Sequence, residues 1–236
     1  MLLAIFLCMY LARRGGLGDD VILDVVIWAT PIGIICARIY YVIFSFDSYK
    51  DRLLDVFKIW EGGIAIYGCI IGAVLTVLVY CRVKKIRSLS VLDVGCVGLT
   101  LGQSIGRWGN FVNREAFGGP AAESNLLRMK LYTDATMTTW ATVHPTFLYE
   151  SLWNLGVFAV LLVLTGKKKY NGQIFWTYLL LYGTGRLWIE GLRVDSLLIG
   201  PLRVSQLVAF ATALAGLIML VRGAKTLRRG DNIHNY

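Results

Sequence analysis

The chain has 236 residues, of which 56% are hydrophobic, a mean hydropathy of +0.61 and a formal net charge of +9 at pH 7. Long apolar runs separated by short charged clusters exclude an ordinary soluble domain and are typical of a polytopic membrane protein. Because the runs are too long for barrel strands, we predict an all-α fold of about seven transmembrane helices, the first incomplete in this chain, with a small external head segment.

The first apolar run, Leu2 to Ala12, precedes Arg13 and Arg14 and is too short to cross a hydrocarbon core of about 30 Å. It has neither the basic start nor the small-residue cleavage site of a signal peptide. We expect it to be the inner end of a first span whose outer part would precede Met1. The apolar runs that follow predict six further helices, near residues 22–44, 62–81, 90–107, 145–165, 174–190 and 201–221. The predicted organisation is transmembrane helices 1–4 in residues 1–107, an external head in 108–143, transmembrane helices 5–7 in 144–222 and a cytoplasmic tail in 223–236.

Lysine and arginine clusters fall on alternate loops and indicate the orientation. With these spans all four clusters lie on one side, which the positive-inside rule makes cytoplasmic: Arg13 and Arg14; Arg82, Lys84, Lys85 and Arg87; Lys167 to Lys169; and Arg222, Lys225, Arg228 and Arg229. Because the clusters are divided among loops and accompany no recognition module, we expect no nucleic-acid partner. Two scattered histidines and five cysteines without C-x-x-C spacing predict no metal site.

The outer side receives an unusual polar stretch, Gly106 to Pro120, "GRWGNFVNREAFGGP". Arg107, Asn110 and Arg114 share a helical face by spacing, and an unwinding at Gly109 would turn Asn113 and Glu115 toward the same point. The alternative is an interfacial cap, in which the arginines reach for water. Just before this stretch, a repeat of glycines on one helix face predicts close helix packing: Gly98, Gly102 and Gly106.

A second polar stripe lies in "YGTGRLWIEGLR", where Tyr182, Arg186, Glu190 and Arg193 recur at helical spacing near the outer face. Charged residues within a span indicate function by default, although Arg186 and Glu190 could simply form an ion pair. Smaller groups point to the same side: His144 and Glu150 in "HPTFLYE", Glu61 and Tyr67 in "WEGGIAIYGCIIG", and Arg38.

Arginines therefore converge at headgroup depth, with glutamates to balance them: Arg38, Arg107, Arg186 and Arg193, with Glu115, Glu150 and Glu190. Guanidinium groups bind phosphate in a bidentate way, so this set is suited to an anionic lipid. The sequence shows no Ser-His-Asp set, metal set or P-loop, which argues against ester hydrolysis, metal hydrolysis and nucleotide-driven chemistry. Residue chemistry alone indicates phosphate recognition, with or without bond breaking.

These residues carry a resemblance to a known family. The pattern Gly106-Arg107-x-Gly109-Asn110-Phe111-x-Asn113-x-Glu115-x-x-Gly118 resembles the signature of prolipoprotein diacylglyceryl transferases. The stretches "WEGGIAIYGCIIG", "HPTFLYE" and "YGTGRLWIEGLR" resemble the family's other blocks and occur in the family's order along the chain. The resemblance implies a seven-helix enzyme of the bacterial cytoplasmic (inner) membrane. It implies transfer of the diacylglyceryl group from phosphatidylglycerol to the lipobox cysteine thiol of a prolipoprotein signal peptide, with release of glycerol phosphate. The implied partners are these two substrates and the lipid bilayer, and no cofactor is expected.

Roles for individual residues follow from the resemblance. Arg107 and Arg186 would neutralise the departing phosphate, Asn110 and Asn113 would orient the headgroup, and Glu115 would hold an arginine or the glycerol hydroxyls. Tyr67 stands where some members carry a histidine proposed as base, so it is expected to donate a hydrogen bond instead. The base is then Glu115, His144 or no single side chain. Further substrate-binding candidates are Gly118, Arg38, Tyr182, Glu190, Arg193, His144, Glu150 and Glu61.

Two rival functions fit the composition. A lipid transporter or flippase also has glycine faces and intramembrane charge, but it predicts internal pseudo-symmetry, and the two halves show no convincing repeat. A non-catalytic membrane protein that binds anionic lipid would use the same arginines without turnover.

Overall fold

The computed structural model describes residues 1–18, 20–50, 52–132, 139–194, 198–200 and 202–229. The described residues form seven α-helices: α1 Leu2–Arg14, α2 Val21–Phe44, α3 Ile66–Lys84, α4 Ser88–Asn113, α5 Thr146–Thr165, α6 Gln173–Leu192 and α7 Val204–Arg229. Five of these, namely α2, α3, α4, α5 and α7, are long and apolar enough to cross a membrane. The predicted all-α membrane fold is confirmed, and the chain is a multi-pass membrane protein.

Two helix ends differ from the prediction for local backbone reasons. Helix α3 begins at Ile66 and not near residue 62, because Gly62 and Gly63 have φ angles of 90° and 72°. Helix α4 runs through Gly109 to Asn113 and stops at Arg114, whose φ is 57°. The helix therefore does not unwind at Gly109, which the sequence analysis had considered as one way to bring Asn113 and Glu115 to the site. The chain reverses at a left-handed residue after the helix, a common form of helix stop.

The predicted external segment contains short strands. Strand β1 (Met129–Tyr132) pairs antiparallel with β2 (Trp140–Val143), and residues 133–138 between them lie outside the described residues. A second pair follows α6, formed by β3 (Leu198–Ile199) and β4 (Leu202–Arg203). Of the predicted tail, residues 230–236 also lie outside the described part of the chain.

The chain divides into two compact units. The large unit is Met1–Ala4 with Leu92–Tyr236, and the small unit is Ile5–Val91. The division falls within α4. The boundaries predicted at 107 and 143 concern where the chain would leave the membrane, and they stay a prediction.

Small residues let the helices within each unit approach closely. In the small unit, a Cβ added at Gly72 of α3 would lie 2.9 Å from the Cys36 Cβ of α2. In the large unit, a Cβ at Gly183 of α6 would lie 2.6 Å from the Ala209 carbonyl oxygen of α7. Such contacts are typical of helix pairs in lipid, where backbone approach and van der Waals packing drive association.

Two glycines of the predicted packing face of α4 have no close neighbour among the described residues. A Cβ at Gly106 would meet no atom within 4 Å, and one at Gly102 would meet only the Ala4 Cβ at 4.0 Å. Gly98, the third member of the face, is buried, so the packing role predicted for it stays a prediction. Spacing alone could not predict which glycines make close contacts. A row of glycines identifies a helix face that is able to pack closely, but it does not identify the helix that packs there.

The large unit buries polar side chains among apolar ones and exposes many apolar side chains. Its buried polar side chains include Asp93, Thr100, Ser104, Thr146, Glu150, Ser151, Asn154 and Glu190. Leucine, valine, isoleucine and phenylalanine side chains stay exposed along the same helices. In a membrane this arrangement places hydrocarbon outside and leaves the inside for polar chemistry.

Candidate functional site

The centre of the site is Glu150, in the first turns of α5. Its side chain is only 4% exposed and contacts three arginines from other parts of the large unit. Arg186 Nη1 donates a hydrogen bond to Glu150 Oε1 at 2.7 Å, and Arg193 Nη1 lies 3.6 Å from the same oxygen. Arg107 Nε lies 2.7 Å from Oε2, as a charge contact without a well-aligned hydrogen bond. One buried carboxylate thus joins α4, α5 and the end of α6.

Glu190 supplies the second buried carboxylate. Its Oε2 lies 2.5 Å from Arg186 Nη2, so the ion pair that spacing allowed does form. Arg186 is nevertheless shared, because its other terminal nitrogen binds Glu150. Arg203, at the end of β4, donates to the Glu190 carbonyl oxygen and so fixes the backbone at this point.

A chain of amide contacts connects Arg107 to the loop after α4. Arg107 Nη1 donates to Asn110 Oδ1 at 3.3 Å. Glu115 Oε1 accepts from Asn110 Nδ2 at 3.1 Å and from Asn113 Nδ2 at 3.2 Å. The left-handed turn at Arg114 folds Glu115 back toward the helix, and this is how the signature residues meet without the helix unwinding. Arg114 itself points elsewhere, over the ring of Tyr132 at 6.0 Å.

Hydrogen bonds between α4 and α5 set the positions of Arg107 and Glu150 relative to each other. Ser104 Oγ donates to the Ser151 carbonyl oxygen at 2.9 Å, and Ser151 Oγ donates to the Ser104 carbonyl oxygen at 2.8 Å. Trp108 Nε1 donates to Ser151 Oγ at 3.2 Å. Arg107 is adjacent to Trp108 in sequence and Glu150 to Ser151, so these bonds hold the two charged residues in register.

The burial of the charged groups favours an anion. Two buried glutamates contact three arginines that are more exposed than they are. The glutamate side chains are 4% and 3% exposed, whereas those of Arg107, Arg186 and Arg193 are 21%, 16% and 13% exposed. The carboxylates therefore hold the arginines while part of each arginine side chain stays exposed. This arrangement suits an incoming phosphate, because it reduces the reorganisation needed on binding.

Gly118 lies where the loop after α4 passes between α5 and α6. It forms an antiparallel bridge with Arg193, and its backbone nitrogen donates to the His144 carbonyl oxygen at 3.0 Å. A Cβ here would lie 2.7 Å from the His144 Cβ, so glycine is needed for space. Arg193, the last member of the predicted stripe, lies one residue beyond the end of α6 and is extended, so only the other three members lie on the helix.

His144 and Tyr182 make other contacts within the large unit. His144 Nδ1 lies 3.3 Å from Asn125 Nδ2 and 3.2 Å from the Tyr149 hydroxyl, and these contacts tie it to the head segment. The Tyr182 ring stacks on Tyr178 with centroids 5.4 Å apart. Neither contact joins the arginine cluster.

The small unit carries the three remaining candidates. Arg38 is buried and donates to backbone carbonyl oxygens of the loop between α2 and α3. The Glu61 carboxylate is exposed and lies 3.9 Å from Lys58 Nζ. The Tyr67 ring lies 6.4 Å from that of Tyr40.

Three positioning residues were missed at the level of sequence. Ser151 and Arg203 have no motif signal, since Ser151 is a serine within a helix and Arg203 is the last residue of a short strand. Asp93 is completely buried in α4 and accepts from the backbone nitrogens of Gly172 and Phe175, at 2.8 and 2.9 Å. It thereby accepts hydrogen bonds from backbone N–H groups at the start of α6, which have no partner within the helix. Helix α6 carries Arg186. The occurrence of Asp93 within an apolar run was the sequence feature that could have identified it as a positioning residue.

Comparison with known proteins identifies the family of the chain. A family profile described as prolipoprotein diacylglyceryl transferase matches residues 1–222. The chain belongs to this family. It is 43% identical over 218 residues to the phosphatidylglycerol–prolipoprotein diacylglyceryl transferase of Clostridioides difficile (strain 630), covering 92% of this chain and 84% of that protein. It is 44% identical over 228 residues to the protein of the same name from Finegoldia magna, covering 94% of this chain and 86% of that protein. For the protein of that name in Synechocystis sp. the identity is 43% over 227 residues, with 92% and 79% covered.

Membership confirms the resemblance and the assignment as a transferase. The network centred on Glu150 is thus the candidate active site of a prolipoprotein diacylglyceryl transferase family member. Residues of the family signature, Arg107 to Glu115, lie next to residues of the two later blocks, Glu150 and Arg186 to Arg193.

Proposed function

We propose that this chain transfers the sn-1,2-diacylglyceryl group of phosphatidylglycerol to the lipobox cysteine thiol of a prolipoprotein signal peptide, forming a thioether and releasing glycerol phosphate. The observation that carries the proposal is the set of three arginines held by buried Glu150. Phosphatidylglycerol and prolipoprotein both appear in the names of the similar proteins.

The reaction needs one bond made and one broken. The sulfur attacks the diacylglyceryl carbon that bears the phosphate oxygen, the C–S bond forms as the C–O bond breaks, and the electron pair leaves with the phosphate. Negative charge therefore grows on the phosphate in the transition state. Arg107 and Arg186 stabilise that charge, and they do so without reorganising because Glu150 already holds both.

The proton of the thiol also needs an acceptor. Glu150 and Glu190 are committed to arginines, whereas Glu115 is exposed and is oriented by the amides of Asn110 and Asn113. We assign the proton to Glu115. The nearby arginines of the site favour the thiolate form of the substrate, which is the nucleophile.

The orientation in the bacterial cytoplasmic membrane follows from the charged loops. Within the large unit the site lies at the start of α5 and the end of α6, whereas the cluster Lys167 to Lys169 lies between the end of α5 and the start of α6. The positive-inside rule then places the C-terminus in the cytoplasm and the site toward the outer face.

The test is a transfer assay with the purified protein in phosphatidylglycerol vesicles and a lipobox peptide, following peptide mass together with glycerol phosphate. We expect Arg107→Ala and Arg186→Ala each to lower the rate by about 10²–10³-fold, the usual loss for one transition-state donor. Arg222→Ala, an exposed arginine near the end of α7, is the matched control and should keep the wild-type rate.

Arg107→Lys and Arg186→Lys keep the charge and guard against misfolding in the alanine variants. They should fold with wild-type helicity and remain slow, because an ammonium cannot bind two partners in a fork. Full activity in the arginine variants would reject the arginine assignment. Lipid movement or binding without a peptide mass gain in the wild type would reject the transfer reaction in favour of a flippase or a lipid-binding protein.

A further inference from the structure

Residues 52–63, between α2 and α3, fold around one buried side chain, and we call this segment the 52–63 loop. Arg38 of α2 is only 6% exposed and donates to five carbonyl oxygens of the loop. Nε binds Val56 at 2.7 Å, Nη1 binds Gly62 at 2.7 Å and Gly63 at 2.9 Å, and Nη2 binds Asp55 at 2.7 Å and Lys58 at 3.4 Å.

These five bonds use every N–H group of the guanidinium. Arg38 therefore has no donor left for a phosphate while the loop keeps this form. The fit is also tight, because a Cβ at Gly63 would lie 2.5 Å from Arg38 Nη1 and 2.9 Å from Tyr41 Cε1. The sequence placed Arg38 among the phosphate ligands, but the contacts give it the role of a clamp.

With its carbonyls turned inward, the loop presents apolar side chains outward. Leu54 is 79% exposed, Phe57 74% and Trp60 76%. The adjoining ends of the flanking helices also expose apolar side chains, which are Ile43 and Phe44 of α2 and Ile66 of α3. Large apolar side chains exposed together are unusual for a surface in water and mark an interaction site.

The polar groups of the loop are compatible with a lipid surface. Lys58 Nζ lies 2.6 Å from Asp55 Oδ1, so the two charges pair with each other. Backbone carbonyls are costly to place near hydrocarbon unless they are bonded, and Arg38 bonds five of them. Tryptophan is also typical of the headgroup level of a bilayer.

We infer that Arg38 is a positioning residue that holds the 52–63 loop against the membrane, with Leu54, Phe57 and Trp60 inserted into the lipid surface at that end of α2 and α3. The partner is the bilayer itself, since the exposed apolar side chains adjoin two helices that are able to cross it. The inference goes beyond the transfer reaction and depends only on α2 and α3 crossing the membrane.

The test uses a polarity-sensitive fluorophore on Leu54→Cys in the full chain, reconstituted into phosphatidylglycerol and phosphatidylethanolamine vesicles. The unsubstituted protein, labelled in the same way, corrects for native cysteines. Leu126→Cys, at a head residue that is 96% exposed, is the reference for a probe in water. We expect quenching by aqueous iodide to be several-fold weaker at position 54 than at 126, and quenching by shallow spin-labelled lipids to occur at 54.

The role of Arg38 is tested with Arg38→Gln and Arg38→Lys in the Leu54→Cys protein. Glutamine removes most of the donors and should make position 54 several-fold more open to iodide, while lysine should restore only part of the protection. Arg52→Gln, in the same loop with an exposed side chain, should leave position 54 protected.

Two results would overturn the inference. Iodide quenching at position 54 equal to that at 126 would remove the loop from the lipid surface, and this measurement does not need an Arg38 variant to fold. Unchanged protection in a folded Arg38→Gln protein would remove the clamp. Neither readout depends on catalysis, so a failed transfer assay leaves both measurements interpretable.

Discussion

Glu150→Gln removes one buried negative charge from among three arginines while it keeps the size and planar shape of the side chain. Arg107 and Arg186 each lie 2.7 Å from a Glu150 oxygen, and Arg193 lies 3.6 Å away. Two unit charges about 4 Å apart attract by about 4 kcal/mol at an effective dielectric constant of about 20. Breaking a buried ion pair by removal of one partner costs about 3–5 kcal/mol in measured cases. We expect the free energy of unfolding to fall by about 3 kcal/mol, since the amide oxygen still accepts one hydrogen bond.

The same change should slow catalysis without abolishing phosphate binding. The glutamine oxygen can hold one arginine and not two, so Arg107 and Arg186 lose their common anchor. We expect kcat to fall by about 100-fold, which corresponds to about 2.7 kcal/mol of transition-state stabilisation. Inhibition by added glycerol phosphate should persist, because all three arginines keep their charge.

The assay combines thermal unfolding in detergent with transfer kinetics at saturating phosphatidylglycerol in vesicles. Glu123→Gln is the matched control, because it removes the same negative charge from an exposed residue of the head segment. A folded Glu150→Gln protein with wild-type kcat and thermal midpoint would refute the reasoning that this carboxylate orients the arginines. Loss of glycerol phosphate inhibition together with kcat would show that Glu150 is needed for binding and not only for orientation.

Three further changes test other parts of the structure. Asp93→Ala removes the acceptor for two backbone nitrogens of α6 and should lower the free energy of unfolding by about 2–3 kcal/mol; an unchanged denaturation midpoint would exclude this capping role. Gly118→Ala places a methyl group 2.7 Å from the His144 Cβ and should cost about 1–3 kcal/mol by overpacking, measured in the same way; a fully stable variant would show that the loop has room to move. Tyr67→Phe keeps the ring and removes the hydroxyl, so the transfer rate should stay near that of the wild type; a loss of about 10²-fold, the size of a general-base effect, would return Tyr67 to the chemistry.

Much of the fold was predictable, because span length and apolar composition are local properties. The predicted starts of α2, α4, α5 and α6 lie within two residues of those observed. The end of α4 was less accessible, since the stop depends on a left-handed conformation at Arg114 and not on the glycine before it. The predicted site residues stay a prediction as regards their roles, but the structure connects eight of them in one network: Arg107, Asn110, Asn113, Glu115, Glu150, Arg186, Glu190 and Arg193.

The sequence by itself determined that this chain spans a membrane, which family it resembles and which residues bear charge within apolar segments. Hydropathy and spacing record these features because each depends on neighbours within a few residues. Only the tertiary structure decided which charges meet. Glu150 contacts Arg107 because hydrogen bonds between Ser104 and Ser151 join α4 to α5. Arg38 donates its hydrogen bonds to carbonyl oxygens of the 52–63 loop. Helical periodicity identifies the face of a residue, whereas the partner on that face is chosen by close packing between segments distant in sequence.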